Sequence, residues 1–362
     1  PAVVGMLRQA MRSRRAVILL DGLDECGSTR RHFEAHIGGM LLPQGHVVVA
    51  LSRPAGLGEA SLRAFRRASL LPLSEAQQQR MLAQRLPDVA ERAKLWSYIV
   101  ERLPRDTKGE RITSNPLMLS MLASIAELRV GHDMPRSVAD LYTVATDAML
   151  VRAKAGTEGS LLAQPTGSKL SALLRKLFLQ AQLAERRVID SELINSAIGK
   201  DAPWLIECIR NDRVALLSLL QAEPLEVQAP HLSFQEYMAA VAIANGAELH
   251  VQTVERLSAF WANTMRLGAG LGERFGNALA DQLGLSSMEE VIVHSPANVV
   301  ACCAALGAVL QSMTIRVKKM RFCNGAINDV GFKELFAVIP FKGALNYLKN
   351  LVISYNEIGK AL

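Results

Sequence analysis

The sequence predicts an α/β unit at the start of the chain, a long mainly α-helical region after it, and a return to alternating strand and helix at the end. Three observations carry that prediction. Ala16-Val-Ile-Leu-Leu20 is an unbroken apolar run rich in branched residues, the mark of a parallel strand buried on both faces, and His46-Val-Val-Val-Ala-Leu51 reads as a second strand. From Ser74 to about Ser312 strand signals nearly vanish and amphipathic helical patterns follow one another. Near the end, Val317, Met320 and Phe322 recur as Leu348, Leu351 and Ile353, at a period of 31 residues.

The bulk numbers bound the answer. A chain of 362 residues holds two or more compact units. Half its residues are hydrophobic and only 5% aromatic, with Leu and Ala dominating, which favours helix. The longest apolar stretch, Asn298–Leu310, is too short to span a bilayer. Arg8, Arg12, Arg14 and Arg15 precede a strand rather than a cleavage site, so no signal peptide is read. Cys26, Cys208, Cys302, Cys303 and Cys323 are odd in number and scattered, which argues against a disulfide framework and a zinc site and for a reduced, cytoplasmic setting. The net charge of +7 comes from short arginine clusters with no aromatic interleaving, so neither nucleic acid nor membrane is signalled as a partner.

Along the chain, the first strand runs into Asp21-Gly-Leu-Asp24-Glu25. In open α/β sheets ligands bind just beyond the carboxyl ends of the strands, and carboxylates gathered there are costly unless something uses them. A nucleotide-bound magnesium ion is the natural candidate. Ser28 or Thr29 can cap a helix whose Phe33, Ile37, Met40 and Leu41 share a face. The second strand ends at Ser52-Arg53-Pro54, and Asp21 and Arg53 lie 32 residues apart, about one βαβ crossover. Arg67–Leu73 reads as a short third strand. Ser74 begins a helix. Asn115 caps another, with Pro116 at its first position and Leu117, Met121, Ile125 and Leu128 as its apolar face.

Residues 155–168, rich in Gly, Ser and Pro, read as a loop. Ser233-Phe-Gln-Glu236 reads as a capping box. Gly268-x-Gly270-x-Gly272 has no strand before it and reads as a flexible link between helices. The last copy of the 31-residue period, Leu348-x-x-Leu-x-Ile-x-x-Asn356-x-Ile358, fits a leucine-rich repeat, while the first copy has Asn324 one place early. Arg321 and Val352, between core positions, are expected on the concave face of those repeats.

Taken in order, these motifs resemble the NACHT class of signal-transducing ATPases found in NOD-like receptors. Leu19–Glu25 resembles that family's extended Walker B strand, Ser52-Arg53-Pro54 its sensor 1, Ser114–Ser120 its Asn-Pro-Leu segment, and His231–Ala240 its winged-helix His/Phe-Gln-Glu motif. The resemblance implies the C-terminal part of a P-loop nucleotide-binding domain over residues 1–73. It further implies helical domain 1 over 74–145, a winged-helix domain over 146–245, helical domain 2 over 246–315 and an incomplete leucine-rich-repeat solenoid over 316–362. No G-x-x-x-x-G-K-[ST] loop occurs in these residues, and the expectation is that the chain is a fragment of a longer protein, truncated rather than degenerate.

The roles implied by the resemblance follow. Asp21 holds magnesium, and Asp24 or Glu25 orients or deprotonates the attacking water. Arg53 senses the γ-phosphate, Pro116 lies against the adenine, and His231 touches the β-phosphate of ADP. The implied cofactors are ATP or ADP with Mg2+, and the implied function is an ADP/ATP-gated switch that senses a ligand or protein through its repeats and forms a homo-oligomer on activation. The competing reading is a leucine-rich-repeat binding scaffold that never uses nucleotide.

Overall fold

The computed structural model describes residues 2–23, 26, 30–52, 63–103, 111–128, 135, 137–155, 167–211, 213–214, 216–312, 316–323, 326–337 and 348–354. It is mixed α/β, 58% helical, with small sheets. Among the described residues no helix is long and apolar enough to cross a membrane.

The chain opens with α1 (Ala2–Arg12), β1 (Val17–Leu20), α2 (Arg30–His36) and β2 (Val47–Ala50). The two strands are parallel, Val17 opposite Val47 and Leu20 opposite Ala50, as the apolar runs predict. Burial on both faces does not follow. Val17 is 58% and Leu19 72% exposed, and Val47 and Val49 beside them are exposed as well. Alternate residues of a strand share a face, and nothing among the described residues covers this one. The helix α2 runs into a π-helical turn, Ile37–Leu41, closed by the Leu42 N–H donating to the Ile37 carbonyl. A wider turn shifts the phase of the helix. Met40, within that turn and expected on the same face as the buried Ile37, is exposed; before the turn, Phe33 is exposed as well and Glu34 is buried.

The third strand expected over Arg67–Leu73 is absent. Residues 66–74 form neither helix nor strand, and Leu70 and Leu71 are 91% and 86% exposed. Only Leu73 turns inward, donating its N–H to the Ser114 carbonyl at 2.8 Å and packing on the first hydrophobic core. Ser74 then caps α3 (Glu75–Arg85) through a reciprocal capping box with Gln77, satisfying two of the orphan donors at the helix start. After α4 (Val89–Arg102), α5 (Pro116–Leu128) begins with Asn115 Oδ1 accepting from the Leu117 N–H at 2.9 Å. Its buried surface is wider than the expected stripe, since Met118, Leu119 and Leu122 are also buried. Helices α6 (Val138–Ala155) and α7 (Gly167–Leu183) flank the loop read from sequence, most of which lies outside the described residues.

Next come β3 (Ile189–Asp190), α8 (Ser191–Ile198), α9 (Ala202–Arg210), β4 (Ser218–Gln221), β5 (Glu226–Gln228) and α10 (Leu232–Ala244). The three strands form an antiparallel sheet in the order β3-β5-β4. None was anticipated, because strands of two to four residues are too short to show a period of two. Asp190 caps α8 by accepting the Leu193 N–H at 2.9 Å and pairs with Arg186 at 2.6 Å. Burial works against its ionisation, but that N–H and the guanidinium outweigh it and hold the carboxyl below its usual range.

The remainder is α11 (Ala262–Ala269), α12 (Glu273–Gln282), β6 (Glu290–Val293), α13 (Val299–Val309), β7 (Lys319–Cys323), α14 (Asp329–Phe336) and β8 (Asn350–Ser354). The strands β6, β7 and β8 form a parallel sheet. Met320 pairs with Leu351 and Phe322 with Ile353, the register that the 31-residue period requires. The strand β6 was not foreseen; it sets Val291 beside Met320 and Val293 beside Phe322, so the parallel rows begin one unit earlier than residue 316.

Glycines let these helices approach closely. A Cβ on Gly276 would lie 2.5 Å from the Ala308 carbonyl oxygen, and one on Gly307 would lie 2.7 Å from that of Leu335. A Cβ on Gly268 would lie 2.2 Å from the Phe275 ring. Gly270–Gly272 thus form the link between α11 and α12 that the sequence suggests, while Gly268 belongs to packed helix. Cys302 and Cys303 sit in the same packing; burial, reinforced by nearby Glu334, pushes the Cys303 thiol up to about 12.

Two cores hold the described residues from Leu82 onward. The first gathers Leu82, Ile99, Leu119, Leu141, Leu174 and Phe178; the second gathers Phe275, Leu279, Val293, Leu306, Met320 and Phe322. Helices α7 and α10 serve both. Phe178, Phe234 and Tyr237 face the first, whereas Leu179, Ala239 and Ile243 face the second. Helix α6 runs through position 145, and the first core unites residues on both sides of it.

Candidate functional site

At the carboxyl end of β1, pairing continues past the strand. Leu51 donates its N–H to the Leu20 carbonyl at 2.8 Å, and Leu23 donates to the Leu51 carbonyl at 3.1 Å. Gly22 takes a positive φ of 73° between them, a conformation that costs glycine little. The chain thereby turns Leu23 into the interior and leaves Asp21 exposed at the end of the strand. Asp24, Glu25 and Arg53 lie outside the described residues. Among the described residues no group of three His, Cys, Asp or Glu side chains is placed to hold a metal ion.

Pro116 is exposed at the first position of α5, where its missing N–H costs nothing. The segment leading to it is anchored by buried polar side chains that the sequence did not signal. Thr113 Oγ1 donates to Gln78 Oε1 at 2.8 Å, and Gln78 Nε2 donates to the Leu73 carbonyl at 2.9 Å. Arg111, largely buried, pairs with Glu75 and lies over the Trp96 ring, 5.8 Å from its centre, a cation–π contact.

His231 is half-buried and is itself the N-cap of α10. The capping box expected over Ser233–Glu236 is therefore overturned: the helix starts at Leu232, and Ser233 and Glu236 already lie inside it. The imidazole does what a Ser or Asp does elsewhere. Its Nδ1 accepts the Ser233 N–H at 3.2 Å and lies 2.6 Å from Ser233 Oγ. Accepting through Nδ1 places the proton of the neutral ring on Nε2.

The four residues after Ser233 tie α10 to three neighbouring parts of the chain: Phe234 and Tyr237 to α6, Gln235 to the end of α7, and Glu236 to α11. Phe234 meets Tyr142 edge-on at 5.6 Å between ring centres, and Tyr237 stacks on the same ring at 5.2 Å. Tyr237 Oη also lies 2.7 Å from Thr143 Oγ1, and burial pushes its phenol up. Gln235 Nε2 donates to the Arg186 carbonyl at 3.0 Å and to Gln182 Oε1 at 3.2 Å, and Gln182 Nε2 donates onward to the Phe260 carbonyl at 2.9 Å. Glu236 accepts from Asn263 Nδ2 at 2.6 Å. A buried network of this kind fixes one arrangement of its helices. No described hydrogen bond or ion pair joins any two of Asp21, Pro116 and His231. No protein-family model matches the chain, and no curated protein matches it.

Proposed function

We propose that this chain belongs to a nucleotide-gated switch of the NACHT, NOD-like receptor kind, bearing the part of the site that responds to the nucleotide. The observation that carries the reading is Asp21: an exposed carboxylate at the carboxyl end of a parallel strand, with Asp24 and Glu25 next in sequence. Three further features support it. The helix–strand–helix–helix–hairpin succession of α7 to β5 suits a winged helix. Parallel strand rows with helices between them suit the start of a leucine-rich-repeat solenoid. The Nε2–H tautomer of His231 suits donation to a phosphate oxygen.

In this reading Asp21 would hold the magnesium ion of ADP or ATP, and Asp24 or Glu25 would serve the attacking water. Arg53 would meet the γ-phosphate, Pro116 would pack on the adenine and His231 would contact the β-phosphate. Magnesium, when bound, supplies the positive charge that offsets the phosphates. Different contacts in the ADP and ATP states bias a two-state equilibrium, and the open state forms the homo-oligomer.

Two measurements test this. The chain contains no G-x-x-x-x-G-K-[ST] loop, so it is expected to release no phosphate from ATP by itself; turnover that Glu25→Gln abolishes would refute that. In a polypeptide that also supplies such a loop, His231→Leu is expected to release ADP faster and raise the oligomeric fraction. Unchanged ADP retention by calorimetry removes His231 from the site.

A further inference from the structure

We infer that the outward face of the β6–β7–β8 sheet is a docking surface for an acidic, partly apolar segment of another protein. The inference rests on reading this sheet as the start of the repeats, and it names the chemistry of what they bind. The inward residues Val291, Val293, Met320 and Phe322 are buried in the second core. The alternate residues form cross-strand rows on the other side: Glu290, Lys319 and Asn350 in one, Ile292, Arg321 and Val352 in the next. The second row sets a guanidinium between two β-branched side chains. Ile292 is 44% exposed, and Arg321 and Val352 are half-buried.

Charge around this face is unbalanced toward positive. Arg316, Lys318, Lys319, Arg321 and Lys349 lie on or just before β7 and β8, against Glu289 and Glu290. Both acids are already engaged: Glu289 with Lys318 at 2.5 Å, Glu290 with Lys319 at 3.2 Å and Arg321 at 3.8 Å. The surplus favours a carboxylate-bearing partner, arginine is enriched at the centres of binding surfaces, and the aliphatic side chains beside it offer apolar contact. A second copy of this chain fits poorly, since the chain carries a net charge of +7. A nucleic acid fits less well than a protein. Neither row offers an aromatic ring for a base to stack on, whereas Ile292 and Val352 offer aliphatic contact to apolar side chains.

The test uses the whole chain and a short fluorescein-labelled peptide of alternating aspartate and leucine, read by fluorescence anisotropy. The peptide is expected to bind, with affinity falling as salt rises. Arg321→Glu is expected to weaken it about tenfold or more and Arg321→Gln by less, whereas Glu290→Gln tightens it about threefold. Circular dichroism checks that each variant keeps its fold. Equal binding of the peptide with lysine in place of aspartate, tighter binding of oligothymidylate, or indifference to Arg321→Glu each overturns the inference. Retention of ADP is measured separately, so loss of this surface and loss of the nucleotide reading are distinguished.

Discussion

Replacing Gly268 by valine is expected to cost about 2–3 kcal/mol of stability, because the new side chain must displace a buried ring. Its first carbon would lie 2.2 Å from Cζ of Phe275, a fully buried residue of the second core. Phe275→Ala is expected to cost about 3–5 kcal/mol by the cavity it leaves. The two changes compete for one volume, so the double variant should fall short of their sum by more than about 1 kcal/mol. Urea unfolding of the four proteins measures this. Strict additivity would mean that the glycine and the ring do not share that space.

Phe234→Ala is expected to remove about 3–5 kcal/mol, since it deletes a buried ring from the first core and leaves Tyr142 without its edge-on partner. Phe234→Leu keeps most of the buried volume and should recover about half of the loss. Near-ultraviolet circular dichroism offers a second readout, because the stacked Tyr142 and Tyr237 rings lose their fixed setting when Phe234 goes. A loss under about 1 kcal/mol for the alanine variant would place little weight on this aromatic group.

The features that sequence disclosed are those written in a local or periodic pattern. The strands β1 and β2 are visible because four consecutive branched or apolar residues suffice to mark them. Their exposure is invisible, since the cover of a strand comes from elsewhere in the chain. The pairing of Met320 with Leu351 is visible because a repeat fixes its own register. The strands β3, β4 and β5 are not, being too short to alternate.

Within the candidate site, the same division holds. Asp21 at a strand end and Pro116 at a helix start follow from their immediate neighbours. The partners of Gln235 and Glu236 do not, because Gln182 and Asn263 lie 53 and 27 residues away. His231 misled because histidine is an uncommon cap: Ser233 and Glu236 matched a capping pattern two residues too late.

The sharing of α10 between two cores limits how its sequence can drift. Eleven of its thirteen residues are buried, so no side of the helix is free to absorb change. The aromatic end must keep its size to fill one interior, and Ala239, Ala240 and Ala242 must stay small to fit the other. A substitution that suits one interior is still judged by the second. Few alternative sequences satisfy both, and the range of acceptable spellings for Leu232–Ala244 is accordingly narrow.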